Sequence, residues 1–344
     1  MFHPYFVRIG SIQKVFLNVV WHGLVLSMVG CSLSNSLDSE TLISGEVSTP
    51  KDQNSLSQGT DQNANQTTDL QVGQKVVIGA IASNPTEQIR QLQPIADYLA
   101  QQLNSYQIQT GEVMIASDIS TMSKLLKSGS VDLYFGGFYP SLGLVQNSNA
   151  QPILRYWKGE SAQDHAVIFS HAKTGVSSLE ELKGEKIAFA DSISTLGFRL
   201  PALHLKEAEL KLVPRNSIQE AVPAEEVGYL FSKDDQNSVQ WVMSRRVNGA
   251  AISGENFQQL PASSREQMVV LARTDKLPQA FVLSRPNLDT TLLESVRQVL
   301  LQINQAEAGR AALETFDQAT TFDVSPSPED LAKMQETYKN LQEP

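Results

Sequence analysis

The chain has one cysteine in 344 residues, little aromatic content and too few basic residues to balance its acids. A lone cysteine excludes internal disulfides and cysteine-built metal sites. The formal charge of −10 argues against nucleic acid or an anionic lipid surface as the main partner. It leaves a small anion open, because a helix N-terminus can hold one inside an acidic protein. No G-x-S-x-G elbow, H-E-x-x-H spacing, P-loop or G-x-G-x-x-G fingerprint occurs, and two of the five histidines, His3 and His22, lie in the first thirty residues. The pattern gives no support to an enzyme, a cofactor or a metal site.

No apolar run reaches the length of a membrane span. The longest, "VFLNVVWHGLVLSMV" (15–29), is fifteen residues, too short for about 30 Å of hydrocarbon at about 1.5 Å per residue. Arg8 and Lys14 precede it and "GC" closes it at Cys31. This is the layout of a secretory signal, and "LSMVGC" resembles a bacterial lipobox, with Met28 at a position where leucine is more usual. The reading is a signal over 1–30, cleavage before Cys31 and acylation of it. That places the protein in a bacterial cell envelope, lipid-anchored and facing the periplasm or the exterior. Residues 31–74 follow as a tether: 32–73 contain no aromatic residue and are dominated by Ser, Thr, Asn, Gln, Asp and Gly, which cannot bury enough apolar surface to order themselves.

What is present from residue 75 onward is strand alternating with helix. "KVVIGAIA" (75–82) reads as a buried strand, and "NPTEQ" as a helix start with Asn84 as cap, Pro85 at the first position and Glu87 behind it. The following helix places Ile89, Leu92, Ile95, Ala96, Leu99 and Leu103 on one face. Further strands are expected at 113–116, 131–136, 166–170, 268–273 and 280–284, and helices at 120–129, 290–303 and 326–341. Repeated βα units imply parallel sheets covered on both faces, with ligands held outside the carboxyl ends of strands.

One such strand end is "FADSISTLGFRLPA" (189–202). A strand closing at Ala190 delivers Ser192, Ser194, Thr195 and Gly197 to the start of a helix. About four backbone N–H groups have no intrahelical partner there, and the dipole adds roughly half a positive charge. Convergent donors of this kind suit a tetrahedral oxyanion. They also suit a plain helix cap, and the residues alone leave both readings open. Arg199, one turn into the helix, is expected to face solvent or pair with a carboxylate.

The segments "IGAIASNPTEQIRQLQPIADYLAQQL", "ASDISTMSKLLKSGSVDLYFGGFYPSLGLV", "SLEELKGEKIAFADSISTLGFRLP" and "VMSRRVNGAAIS" follow one another in an order that resembles the substrate-binding proteins of phosphonate, phosphite and phosphate ABC importers. The resemblance covers roughly 75–340. It implies an α/β, two-lobed periplasmic-binding-protein-like fold of type II with the ligand cleft between lobes: 75–168 plus 280–344 as lobe one, 177–265 as lobe two, and crossings at 169–176 and 266–279. It implies capture of a small tetrahedral oxyanion for an importer's permease and ATPase, by a monomer that needs no cofactor. A two-lobed sensor or accessory lipoprotein for another small ligand is the alternative.

The family pattern D-x-x-S-T-S-G-[FY]-x-x-P is matched by Asp191, Ser194, Thr195, Gly197, Phe198 and Pro201, with Leu196 in place of a second serine. The resemblance further implies ligand contacts from Tyr134 or Tyr139 in "LYFGGFYP", from His165 beside Asp164, and from Asp235, in a region where relatives often carry a His-Asp pair. After "GAAI", where aminoalkylphosphonate binders place a carboxylate, the chain has Ser253 and Gly254, with Glu255 one further on. The aminoalkyl specificity is therefore not carried over.

Overall fold

The computed structural model describes residues 74–316 and 319–342. The signal, Cys31 and the tether lie outside them. Among the described residues, fourteen strands form two separate six-stranded sheets and one short ribbon. The first sheet contains β1 (Gln74–Ile81), β2 (Ile108–Ala116), β3 (Leu133–Gly137) and β4 (Gln151–Lys158), and β5 (Gln163–Asp164) belongs to the ribbon. The second contains β6 (Ala166–His171), β7 (Lys186–Phe189), β8 (Lys211–Pro214), β9 (Glu226–Phe231), β10 (Gly249–Ser253) and β11 (Met268–Arg273). The chain then returns through β12 (Leu277–Pro278) of the ribbon to β13 (Ala280–Ser284) and β14 (Ala319–Val324), which complete the first sheet in the order β14-β4-β13-β3-β1-β2. The second runs β11-β6-β10-β7-β9-β8.

The βα alternation implied parallel sheets, but neither sheet is wholly parallel. β2, β1 and β3 form a parallel block, as do β10, β7, β9 and β8. β13 runs antiparallel to β3 and β4, and β6 antiparallel to β10 and β11. The right-handed crossover rule governs strands joined by a helix within one sheet. β6 and β13 are reached from the other sheet, so it does not apply to them.

The outward crossing lies earlier than the 169–176 that the resemblance implied, and the return occupies only the last part of 266–279. β6 begins at Ala166 and β11 runs to Arg273, both in the second sheet. The outward crossing is therefore 159–165 and the return 274–279, where β5 and β12 pair antiparallel, Leu277 against Asp164 and Pro278 against Gln163.

Among the described residues ten α-helices cover the sheets: α1 (Pro85–Gln102), α2 (Ile119–Ser128), α3 (Phe138–Ser148), α4 (Leu200–Glu207), α5 (Asp235–Met243), α6 (Gly254–Gln259), α7 (Ala262–Arg265), α8 (Thr290–Leu301), α9 (Glu307–Thr315) and α10 (Pro328–Gln342). Local chemistry sets their ends. The Asn84 side chain accepts from Glu87 N–H at 3.3 Å and Pro85 opens α1. Asp118 caps α2 through Thr121 N–H at 2.8 Å, and Gly129 ends it at φ 75°, a left-handed conformation glycine adopts without strain. Leu92, Ile95, Ala96, Leu99 and Leu103 of the α1 stripe are buried, whereas Ile89 in the first turn stays exposed.

Alternation along each strand divides the core. In β1, Val76, Ile78 and Ala80 pack under α1, α8 and α9, while Val77 faces the opposite cluster under α2, α3 and α10. Leu200 of α4 is buried in that second cluster, so the two halves share apolar surface beside the cleft.

Candidate functional site

β7 ends at Phe189 and α4 begins at Leu200, with a wide turn between them over Thr195–Arg199. Arg199 N–H donates to Ser194 O at 2.9 Å and Leu200 N–H to Thr195 O, both i→i+5 bonds. Such widened turns recur at functional sites. The turn is held from behind: Asp191 Oδ1 accepts from Ile193 N–H at 2.8 Å and Ser194 N–H at 2.9 Å, and Ala190 N–H donates to Gly197 O at 3.0 Å.

The four amides of 194–197 are not equivalent. Ser194 N–H is spent on Asp191, and Gly197 N–H on Ser194 Oγ at 3.0 Å. Those of Thr195 and Leu196 stand in the first turn, where no intrahelical acceptor exists. Ser194 Oγ accepts from Gly197, and Thr195 Oγ1 accepts from the Tyr139 N–H of the other half at 2.9 Å. Each hydroxyl already receives one hydrogen bond, so its own proton remains to be donated. Two amides and two hydroxyl protons thus converge from one turn.

They open on a cavity of about 260 Å³ between the two sheets, below the usual range for drug-sized ligands. Ser194, Thr195, Leu196, Gly197, Asp191 and Asp235 all line it. Lys158, Gln279 and Gly137 line it from the first sheet and the crossings, and Ser253, Glu255 and Asn256 from the end of β10 and the start of α6. The lining is of mixed charge: Asp235, Glu255 and Lys158 belong to it, as does Asp191, whose Oδ1 is engaged by the turn's own amides. Burial pushes the Asp235 carboxyl up, partly countered by Asn256 Nδ2, which donates to its Oδ2 at 2.8 Å, by Ser253 N–H and by the Lys158 charge. Burial likewise raises Asp191, against its two amide bonds and the Arg199 charge.

Three residues expected at the ligand are elsewhere. Tyr134 is 1% exposed within the apolar cluster of Phe138 and Phe281, because β3 is covered on both faces and its alternation sends this side chain into core. Burial raises its phenol well above the usual range. The Tyr139 ring packs on Tyr338 at 5.1 Å between centroids and under Arg199, and its backbone N–H reaches Thr195. His165 sits at the outward crossing, its Nε2 3.0 Å from Arg273 Nη1 and its Nδ1 3.3 Å from Asp164 Oδ1. An Arg donor on Nε2 requires the neutral ring with its proton on Nδ1, and burial lowers its pKa in the same sense. Asp164 Oδ2 accepts from Glu255 N–H at 3.1 Å, so this pair acts on the cavity through the helix start it supports.

Lys158, Asn256 and Gln279 were missed by sequence reading. Lys158 ends a strand that the sequence reading did not place, and Gln279 lies in a crossing. Asn256 could have been found, since Ser253 followed by Gly254 and Glu255 after a buried strand marks a helix start; Ser253 Oγ accepts from Asn256 N–H at 3.1 Å.

Residues 78–330 match the family model described as the periplasmic substrate-binding protein of the phosphonate ABC transporter. Among solved structures, XAC2383 from Xanthomonas citri bound to chloride ion is 26% identical with a TM-score of 0.71, covering 78% of this chain and 97% of that one. The same protein bound to ATP matches at 26% and 0.70, covering 78% and 96%. PhnD1 from Prochlorococcus marinus in complex with methylphosphonate shares the fold at 15% identity and a TM-score of 0.60, covering 78% and 98%.

Proposed function

The chain belongs to the phosphonate ABC-transporter substrate-binding family, and from that premise we propose that its solute is one small tetrahedral oxyanion, a phosphonate, phosphite or phosphate. The carrying observation is the 194–197 turn, whose residues line the small cavity with two amides and two hydroxyl protons left to donate. Charge-assisted hydrogen bonds of this kind contribute about 1.5–3 kcal/mol each. The proposal includes a lipid anchor at Cys31, and a permease and ATPase as partners in the envelope. XAC2383 in complex with ATP makes the nucleotide's phosphates a control ligand.

The acidic wall refines the ligand. Glu255 lines the cavity although its register in the sequence seemed wrong for it, and Asp235 lines it too. A bare dianion meets Asp235 and Glu255 across from the turn; an oxyanion with an ammonium at its other end meets partners. Aminoethylphosphonate is therefore favoured over methylphosphonate.

Calorimetric titration with phosphate, phosphite, methylphosphonate, aminoethylphosphonate and ATP tests this, using two variants. Ser194→Ala removes one donor and should weaken the best oxyanion about tenfold or more. Thr195→Ser keeps the hydroxyl that both the anion and the Tyr139 amide use, and should stay within a few-fold of the parent. Equal affinity of parent and Ser194→Ala would mean that the turn is only a helix cap.

A further inference from the structure

Arg199 follows the oxyanion turn, yet it does not line the cavity. Its Nε donates to Ser192 O at 2.7 Å, bracing the segment that enters the turn. Its Nη1 donates to Gln342 O at 3.0 Å and Leu341 O at 3.4 Å. Those carbonyls close α10, where they lack intrahelical partners and carry the negative end of the helix dipole. The guanidinium carbon also stands 4.5 Å above the Tyr139 ring and 5.1 Å from that of Phe198.

These partners belong to different bodies. Ser192 and Phe198 are in the second half, and Tyr139 opens α3 of the first. α10 lies against α3, with Tyr338 stacked on Tyr139 and Leu341 fully buried in the cluster that also takes Leu200. One planar cation thus joins the anion turn, the facing helix and the C-terminal helix end. Beside it, the Tyr139 amide bonds Thr195 Oγ1 in a buried position, and Thr195 is one of the residues that line the cavity.

We propose that Arg199 is a positioning residue for oxyanion capture: it fixes the 192–197 turn and latches the closed cleft onto the end of α10. The geometry requires a fork. Nε and Nη1 serve carbonyls on two separate elements at once, which a lysine ammonium on a flexible stem cannot reproduce. The latch needs no ligand, so it biases the empty protein toward closure and raises apparent affinity by the fraction already closed. The affinity part rests on the oxyanion reading; the closure part does not.

The test compares the full chain with Arg199→Lys and Arg199→Met by small-angle scattering, with and without saturating methylphosphonate or aminoethylphosphonate, and by titration with both. If the closed fraction falls to about a tenth, affinity falls about tenfold. Both variants should do so, with a larger ligand-free radius of gyration that contracts on adding ligand. A charge-only role predicts that Arg199→Lys matches the parent, and that result overturns the fork. An unchanged radius and affinity in Arg199→Met overturns the latch. Should Arg199→Met fail to fold, Arg199→Lys decides by the same two readings. If the parent binds neither phosphonate, the oxyanion reading falls, while the ligand-free radii still decide the latch.

Discussion

Asp235 shows how one buried group links stability, pH and ligand choice. Its carboxyl is pushed up chiefly by burial, so the folded chain holds that proton more tightly than the unfolded one does. Stability from this group is greatest below the ordinary carboxylate value of about 3.9, falls as pH rises through the window up to the raised value, and stays lower above it. Asp235→Asn keeps an acceptor for Asn256 and removes the titration. We expect the variant to melt higher than the parent at pH 7, and the gap to close as pH falls toward the acid end of that window; thermal melts from pH 3.5 to 8 measure it, and a gap independent of pH would refute the assignment. The same substitution should raise the affinity for methylphosphonate relative to aminoethylphosphonate. At this scale the sequence was informative where the site is contiguous. Asp191, Ser194, Thr195 and Gly197 sit in one stretch with a mechanism for each. Lys158, Asn256 and Gln279 reach the same cavity from ends of elements far apart in the chain, and no local pattern marks such convergence. Tyr134 was misplaced because a tyrosine in a short glycine-rich strand looks alike whether its face meets a ligand or a helix.

Among elements, the wide turn depends on the absence of a side chain at Gly197. A Cβ there would lie 2.7 Å from both Ala190 Cβ and Ser194 Oγ, and 3.2 Å from Asp235 Oδ1. Gly197→Ala must displace the Ser194 hydroxyl, and overpacking of this kind costs about 1–3 kcal/mol. Titration should show loss of oxyanion binding together with a lower melting temperature. Gly137, across the cleft, is the control: a Cβ there meets Thr195 Oγ1 at an ordinary 3.6 Å, so Gly137→Ala should fold and close as the parent does. Were both variants to bind alike, the close approach at Gly197 would not be what shapes the turn. Elements with caps and clear periodicity were legible in advance. The amphipathic pattern at 290–303 is α8, and the proline and acids at 326–341 open α10. β4 and β14 were not, because "QPILRYWK" and "ATTFDV" mix apolar and polar residues without a sharp turn to frame them. The antiparallel strands were hidden for a topological reason: strand direction depends on which sheet the chain has just left.

For the whole molecule, the two halves are joined by two short crossings, the β5–β12 ribbon, a shared apolar cluster and the Arg199 contacts, and all of these lie within residues 74–342. The residues that line the cavity lie within the same span, and the expected task of the first 73 residues is delivery. The apolar run ending at Gly30-Cys31 predicts an acylated N-terminus. A single acyl chain gives only marginal, reversible membrane binding, so stable anchoring requires more than one. Anchoring and binding should then separate cleanly. Cys31→Ser, expressed in a bacterial host that cleaves secretory signals, should move the protein from the membrane to the soluble envelope fraction and leave calorimetric affinity unchanged. Uptake of the solute by cells should fall, since the linker no longer holds the binding protein at high effective concentration beside its transporter. Full retention of Cys31→Ser in the membrane fraction after loss of its signal segment would show that something other than an acyl group at Cys31 holds the protein there.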